Sequence, residues 1–134
     1  MRKQTVSSLK KKIWKLCSEY VRRRDANFAG SAKCITCGAT KHWKELQAGH
    51  FISGRHNAVL FETRGIFAQC YSCNIGKHGN QLKYYRVLVE RYGEEYVKQL
   101  EALDRTTKQY TIKELLELEK EFKNKLLELS RQGK

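Results

Sequence analysis

Apolar residues recur at three- and four-residue intervals at both ends of this chain and lose that rhythm in the middle. Val6, Leu9, Ile13, Cys17, Tyr20 and Val21 predict an amphipathic helix over about 6–25, with Thr5 or Ser7 able to cap its start. Asn27-Phe28-Ala29-Gly30 then favours leaving the helical region. Leu82, Tyr85, Leu88, Val89 and Tyr92 predict a second helix that stops at Gly93, and Tyr96, Val97, Leu100 and Leu103 a short third one. Thr111 and Glu114 make a capping box for a last helix through Leu115, Leu118, Phe122, Leu126 and Leu129. Between these lies a different grammar. Residues 45–52 read as a strand, 53–64 as a long loop or irregular hairpin around Val59, Leu60 and Phe61, and Ile66-Phe67-Ala68 as a short strand. A helix start near Cys73 is interrupted by Gly76 and by Gly79-Asn80. The order of elements predicts one α+β domain in three stretches: a basic helix over 1–30, a cysteine-rich centre over 31–93 and a helical extension over 94–134.

Cysteine spacing changes that picture most. Cys34/Cys37 and Cys70/Cys73 are two Cys-x-x-Cys pairs, which in a reducing compartment read as metal ligands rather than disulfides. Four thiolates describe a closed tetrahedral zinc site with no open position for chemistry. Thirty-two residues separate Cys37 from Cys70, room for a hairpin between two knuckles, and Gly38 suits the positive φ of the first turn. His42 and His78 are alternative ligands outside the paired spacing, and Cys17 reads as a small core residue.

Charge narrows the partner. The 134 residues carry 27 Lys/Arg and 14 Asp/Glu, a formal net charge of +13. Residues 1–33 hold ten cations against two acids, whereas 94–134 balance nine against nine. A basic front and middle suits a polyanion such as DNA. Candidate phosphate contacts are Lys10, Lys11, Lys12, Arg22, Arg23 and Arg24 on the first helix, with Lys77, Lys83 and Arg86 near the second. Such contacts give affinity and salt dependence without reading sequence. The neutral tail is a candidate homodimer or partner surface, or a cover for the core. No run reaches membrane-span length, and the start lacks a signal-peptide apolar stretch, so the expected compartment is the cytoplasm.

Two further residues can carry chemistry. His50 sits on the strand run ahead of Phe51-Ile52, where it reads either as a hydrogen-bonded structural residue or as a proton acceptor. Asn74 follows the second cysteine pair and reads either as a helix cap or as a hard oxygen ligand for a magnesium-like ion. Together the motifs Cys-x-x-Cys, Gly49-His50 and Cys-x-x-Cys-Asn74 resemble the zinc-stapled HNH group of His-Me finger (ββα-metal) nucleases. Residues 46–53, Arg55-His56-Asn57, Ala68 to Asn74, Gly79-Asn80, Tyr84 and Tyr92-Gly93 are similar to the phage NinG (Rap) recombination family, structure-specific endonucleases of branched DNA. The likeness covers roughly residues 30–95.

That resemblance implies an α+β fold with a ββα-metal core, a host-cytoplasmic phage protein, and one-metal phosphodiester hydrolysis of junctions such as the Holliday junction. His50 would be the general base, and Asn74 the ligand of a catalytic Mg2+ or Mn2+ beside the structural Zn2+. Gly49 and Gly65 depart from the wider HNH pattern, where Asp and Asn are common, which makes Arg55, His56, Asn57 and Glu62 the supporting candidates. The rival reading is a non-catalytic zinc-dependent nucleic-acid-binding module. A zinc deaminase is disfavoured, since His50 is followed by Phe51-Ile52 and Cys70 is preceded by Gln69.

Overall fold

A computed structural model describes residues 4–134; residues 1–3, the opening of the expected 1–30 unit, lie outside the described residues. The first helix, α1, runs Val6–Arg24, and Thr5 and Ser8 close a reciprocal capping box at its start. Two short hairpins follow. β1 (Ser31–Lys33) pairs antiparallel with β2 (Thr40–His42), framing the first cysteine pair. A 3-10 turn over Trp43–Glu45 leads into β3 (Gln47–His50), which pairs antiparallel with β4 (Ile66–Gln69) in the register Gln47↔Gln69 to His50↔Ile66. The stretch read as a loop holds a single helical turn, α2 (Asn57–Leu60), and a 3-10 turn over Thr63–Gly65.

The second cysteine pair enters a π-helical turn, Ser72–Gly76, and α3 (Gln81–Tyr92) begins only after Gly79 and Asn80 take positive φ. The interruption expected at those residues is therefore a change of helix. Gly93, at φ 93°, separates α3 from α4 (Glu94–Asp104). Thr111 and Glu114 form the expected capping box of α5 (Ile112–Arg131).

The β3–β4 hairpin lies between two helical layers, because alternate strand residues serve opposite cores. Ala48 and Ile66 join Leu9, Ile13, Cys17 and Val21 of α1 with Leu115 and Phe122 of α5. Phe67 joins Tyr84 and Leu88 of α3 with Val97 and Leu100 of α4. The residues after 94 thus divide between the two layers, and α5 buries Leu115, Phe122 and Leu129. Lys12–Glu119 at 3.0 Å and Arg23–Ser130 at 3.0 Å advance together along the two helices, so α1 and α5 run parallel.

Candidate functional site

The zinc-type cage forms where both hairpins converge. The sulfurs of Cys34, Cys37, Cys70 and Cys73 all lie within 4.8 Å of one another, and Cys37 and Cys70 stand 3.7 Å apart. A tetrahedron with ~2.3 Å zinc–sulfur bonds has edges of about 3.8 Å, so the donor set fits one zinc ion. Gly38 takes φ +78° in the first knuckle, as its turn requires. Burial opposes a charge on Cys34, but hydrogen bonds from the Thr36 hydroxyl and nearby backbone bring its thiol down to about 6. Burial pushes Cys70 up to about 12. A metal that deprotonates all four must therefore release protons, which makes loading pH-dependent.

Beside the cage lies a cluster of carboxamides. Gln69 is fully buried and donates from Nε2 to the Gly79 carbonyl at 2.9 Å and the Thr36 hydroxyl at 3.1 Å. Its Oε1 presses on Gly49, where a Cβ would sit 1.9 Å away. Gly49 is thus the space that admits Gln69, a structural reason for a residue that sequence read as an absent ligand. Tyr84 locks the same spot, donating to the Gly49 carbonyl at 2.8 Å and accepting from the Phe67 N–H at 3.1 Å. Gly65 has a similar explanation, since its Cβ would meet Leu100 at 3.3 Å.

His50 leaves the hairpin on the other side. Its ring stacks on Trp14 of α1 with centroids 5.0 Å apart, and Nε2 lies 3.0 Å from the Leu60 carbonyl oxygen. A carbonyl only accepts, so Nε2 carries the proton of the neutral ring and Nδ1 keeps a lone pair with no hydrogen-bond donor among the described residues. Burial, reinforced by the Arg55 charge, pulls its pKa below 6.5 against the Leu60 bond, keeping the ring neutral at pH 7. Trp14 and Leu60 also wall a groove of about 720 Å³ whose cations are Lys10, Lys11, Lys15 and Arg55. Arg55 holds a positive φ and places its guanidinium 4.4 Å above the Trp14 ring.

Asn74 is not at that groove. Its Nδ2 donates to Gln47 Oε1 at 2.6 Å, and Gln47, three strand positions from His50, faces the opposite side of β3. The expected pairing of His50 and Asn74 around one ion is not what the structure places together, because strand alternation separates their surroundings. No carboxylate joins Asn74 and Gln47: among the described residues, the four-cysteine group is where His, Cys, Asp or Glu ligands converge on a metal-sized space. Gln47, which sequence reading passed over, is the residue Asn74 meets.

Several supporting assignments move. His56 pairs with Asp104 at 2.9 Å, Asn57 donates to the Lys108 carbonyl and Glu62 holds Arg64 at 2.8 Å, so of the four candidates Arg55 alone stays with His50. The arginine run is structural. Arg22 reaches the Ser18 and Trp43 carbonyls and Arg23 bonds Glu19 and Ser130. Arg24 ties Asp25 to the Thr63 and Ile66 carbonyls, while Asp25 accepts from Ala68 N–H. Lys12 pairs with Glu119, leaving Lys10 and Lys11 on the groove together with Lys15; Lys77, Lys83 and Arg86 are exposed elsewhere.

Comparisons with known proteins agree with the motif reading at family level. A family model described as Bacteriophage Lambda NinG protein matches residues 1–132. Over 111 residues, 82% of this chain, the sequence is 32% identical to Protein ninG of Escherichia phage lambda and of Salmonella phage P22, and 30% to that of Escherichia phage 933W. The chain spans about half the length of these curated relatives, 52% of each. No solved structure matches.

Proposed function

The chain belongs to the NinG family of phage proteins, and from that premise we propose that it is a zinc-stapled endonuclease of the HNH type acting on branched DNA in the host cytoplasm. The observation that carries the reading is His50: a neutral imidazole with its proton held by Leu60 and its Nδ1 free, beside a groove of cations. Phosphates of the backbone would lie along Lys10, Lys11, Lys15 and Arg55. Nδ1 of His50 would take a proton from water, and the resulting hydroxide would attack phosphorus as the P–O3′ bond breaks. A hydrated Mg2+ or Mn2+ would supply charge neutralisation at the leaving oxygen; Asn74 and Gln47 offer only neutral amide oxygens, and no step is assigned to them. One observation favours the second reading, a non-catalytic nucleic-acid-binding module: the Asn74 amide is tied to Gln47 on the far side of the strand from His50.

Purified wild type and His50→Ala, compared on four-way junctions, flaps and linear duplex with Mg2+ or Mn2+, separate the readings. The nuclease reading expects metal-dependent nicking that falls by about 10²–10⁴-fold in the variant, with DNA binding kept. Cleavage that survives the substitution removes His50 from the role. Binding without cleavage by wild type selects the second reading, and equal cutting of all substrates defeats the branched-DNA claim alone.

A further inference from the structure

Of the seven tyrosines, five are engaged within the fold. Tyr84, Tyr96 and Tyr110 donate to the carbonyls of Gly49, Arg64 and Asn57. Tyr20 packs at a tilt against Phe122, and Tyr92 lies between Phe67 and Tyr96. Tyr71 and Tyr85 have neither kind of partner among the described residues, and they are 64% and 39% exposed. Tyr71 stands between Cys70 and Cys73, on the turn that closes the zinc cage. Ile75, 48% exposed, follows one turn later on the same side.

Along the chain, the charge on either side of this turn is of one sign. No acidic residue occurs between Glu62 and Glu90, while Lys77, Lys83 and Arg86 are all exposed and form no ion pair among the described residues. An exposed planar ring on this turn, in a stretch of chain whose charged residues from 65 to 89 are all cations, suits a polyanion that also presents aromatic faces. Linear duplex hides the faces of its bases inside the stack; a branch point or unpaired stretch exposes them. The patch lies beyond the Gln47–Gln69 end of the hairpin, with the His50 groove at the other end.

We propose that Tyr71, backed by Ile75, stacks on an unpaired base of branched DNA, with Lys77, Lys83 and Arg86 holding the adjoining phosphates. The site rests on the DNA-binding part of the proposed function and not on cleavage. It gives the protein a means of preferring branched over linear substrate at a distance from the scissile bond.

The test measures binding without added divalent ions, by fluorescence anisotropy on a linear duplex and on the same duplex with a central unpaired stretch carrying 2-aminopurine. Zinc content and circular dichroism confirm that each variant is folded. Wild type and Tyr71→Phe are expected to bind the unpaired substrate about tenfold tighter than duplex and to quench the 2-aminopurine. Tyr71→Ala is expected to lose about tenfold on that substrate and nothing on duplex. Equal binding by Tyr71→Ala, an equal loss on both DNAs, or no preference in wild type overturns the proposal. So does Tyr71-dependent binding to anionic vesicles without a Tyr71 effect on DNA. Wild type that binds selectively yet cuts nothing leaves this inference standing while the nuclease reading falls.

Discussion

At one end of the β3–β4 hairpin, Gln47 meets Asn74 amide to amide, and Gln69 packs under Gly49 beside four clustered thiols. At the other end, His50 holds one ring nitrogen against Leu60 and keeps the second as a free lone pair beside a cationic groove. The first end is order imposed by side chains that satisfy one another. The second is order that leaves a reactive atom over. On the proposed nuclease reading, a metal held by the four cysteines would act on the chemistry indirectly, by fixing from its far end the strand that carries His50.

Breaking the cage should have the largest effect. Cys70→Ser removes a donor from the strand exit and should forfeit most of the metal's folding contribution, on the order of 10 kcal/mol for a structural zinc site. The expected outcome is loss of bound zinc with collapse of the cooperative thermal transition, read by metal analysis and circular dichroism. A Cys70→Ser protein that stays folded and zinc-free would show that the α1–α5 core, not the cage, fixes the hairpin.

The same contrast can be sharpened with single methyl groups. Gly49→Ala would drive a Cβ into buried Gln69, so about 1–3 kcal/mol of destabilisation is expected from overpacking. Trimming the intruder in the double variant Gly49→Ala/Gln69→Ala should show coupling between the two sites, the mark of a shared space. Gly65→Ala meets only the tip of Leu100 at 3.3 Å and should cost less than the Gly49 change. Urea unfolding of the set measures all three.

Much of this frame was readable from residue order. The helices declared themselves through Leu9, Ile13, Cys17 and Val21 and through Leu115, Phe122 and Leu129, and the capping box at Thr111 stands as its residues implied. The four cysteines converge because two pairs with knuckle spacing have few other ways to be satisfied. The failures concern direction. Sequence gives the distance between His50 and Gln47 but not which strand face meets which helix, and so Asn74 was expected beside His50. Likewise a run such as Arg22-Arg23-Arg24 looks like free charge until the carbonyls of Thr63, Ile66 and Trp43 arrive from elsewhere in the chain. The Gln47–Asn74 pair had no local signal, since it joins residues brought near by the hairpin register alone.

Acid should separate the two hairpin ends. Burial lowers the His50 pKa, so the unfolded chain binds its proton more readily than the native one. The corresponding stability is fully present above pH 6.5 and is lost as pH falls through the lowered native value. Wild type should therefore lose stability more steeply than His50→Ala as pH falls below about 6.5, as followed by urea midpoints. Cleavage should fall over the same interval, since a protonated ring cannot accept from water. Equal slopes in the two proteins would mean that His50 is solvated and free to charge.

The smallest effect, and the finest test of the comparison, lies on α1 itself. Lys11 is exposed on the groove, while Arg24, at the other end of the same helix, bridges Asp25 to two carbonyls. Removing a cation that neutralises one phosphate lowers the salt slope of DNA binding by about one and weakens all sequences alike. Lys11→Ala should do this with an unchanged melting temperature. Arg24→Ala should leave buried carbonyls and Asp25 without their donor, costing about 1–3 kcal/mol of stability with no change in salt slope. Titrations at several salt concentrations beside thermal melts read both quantities. If Arg24→Ala instead flattens the salt slope, the arginine run faces DNA after all, and the groove beside His50 is not the main path of the phosphate backbone.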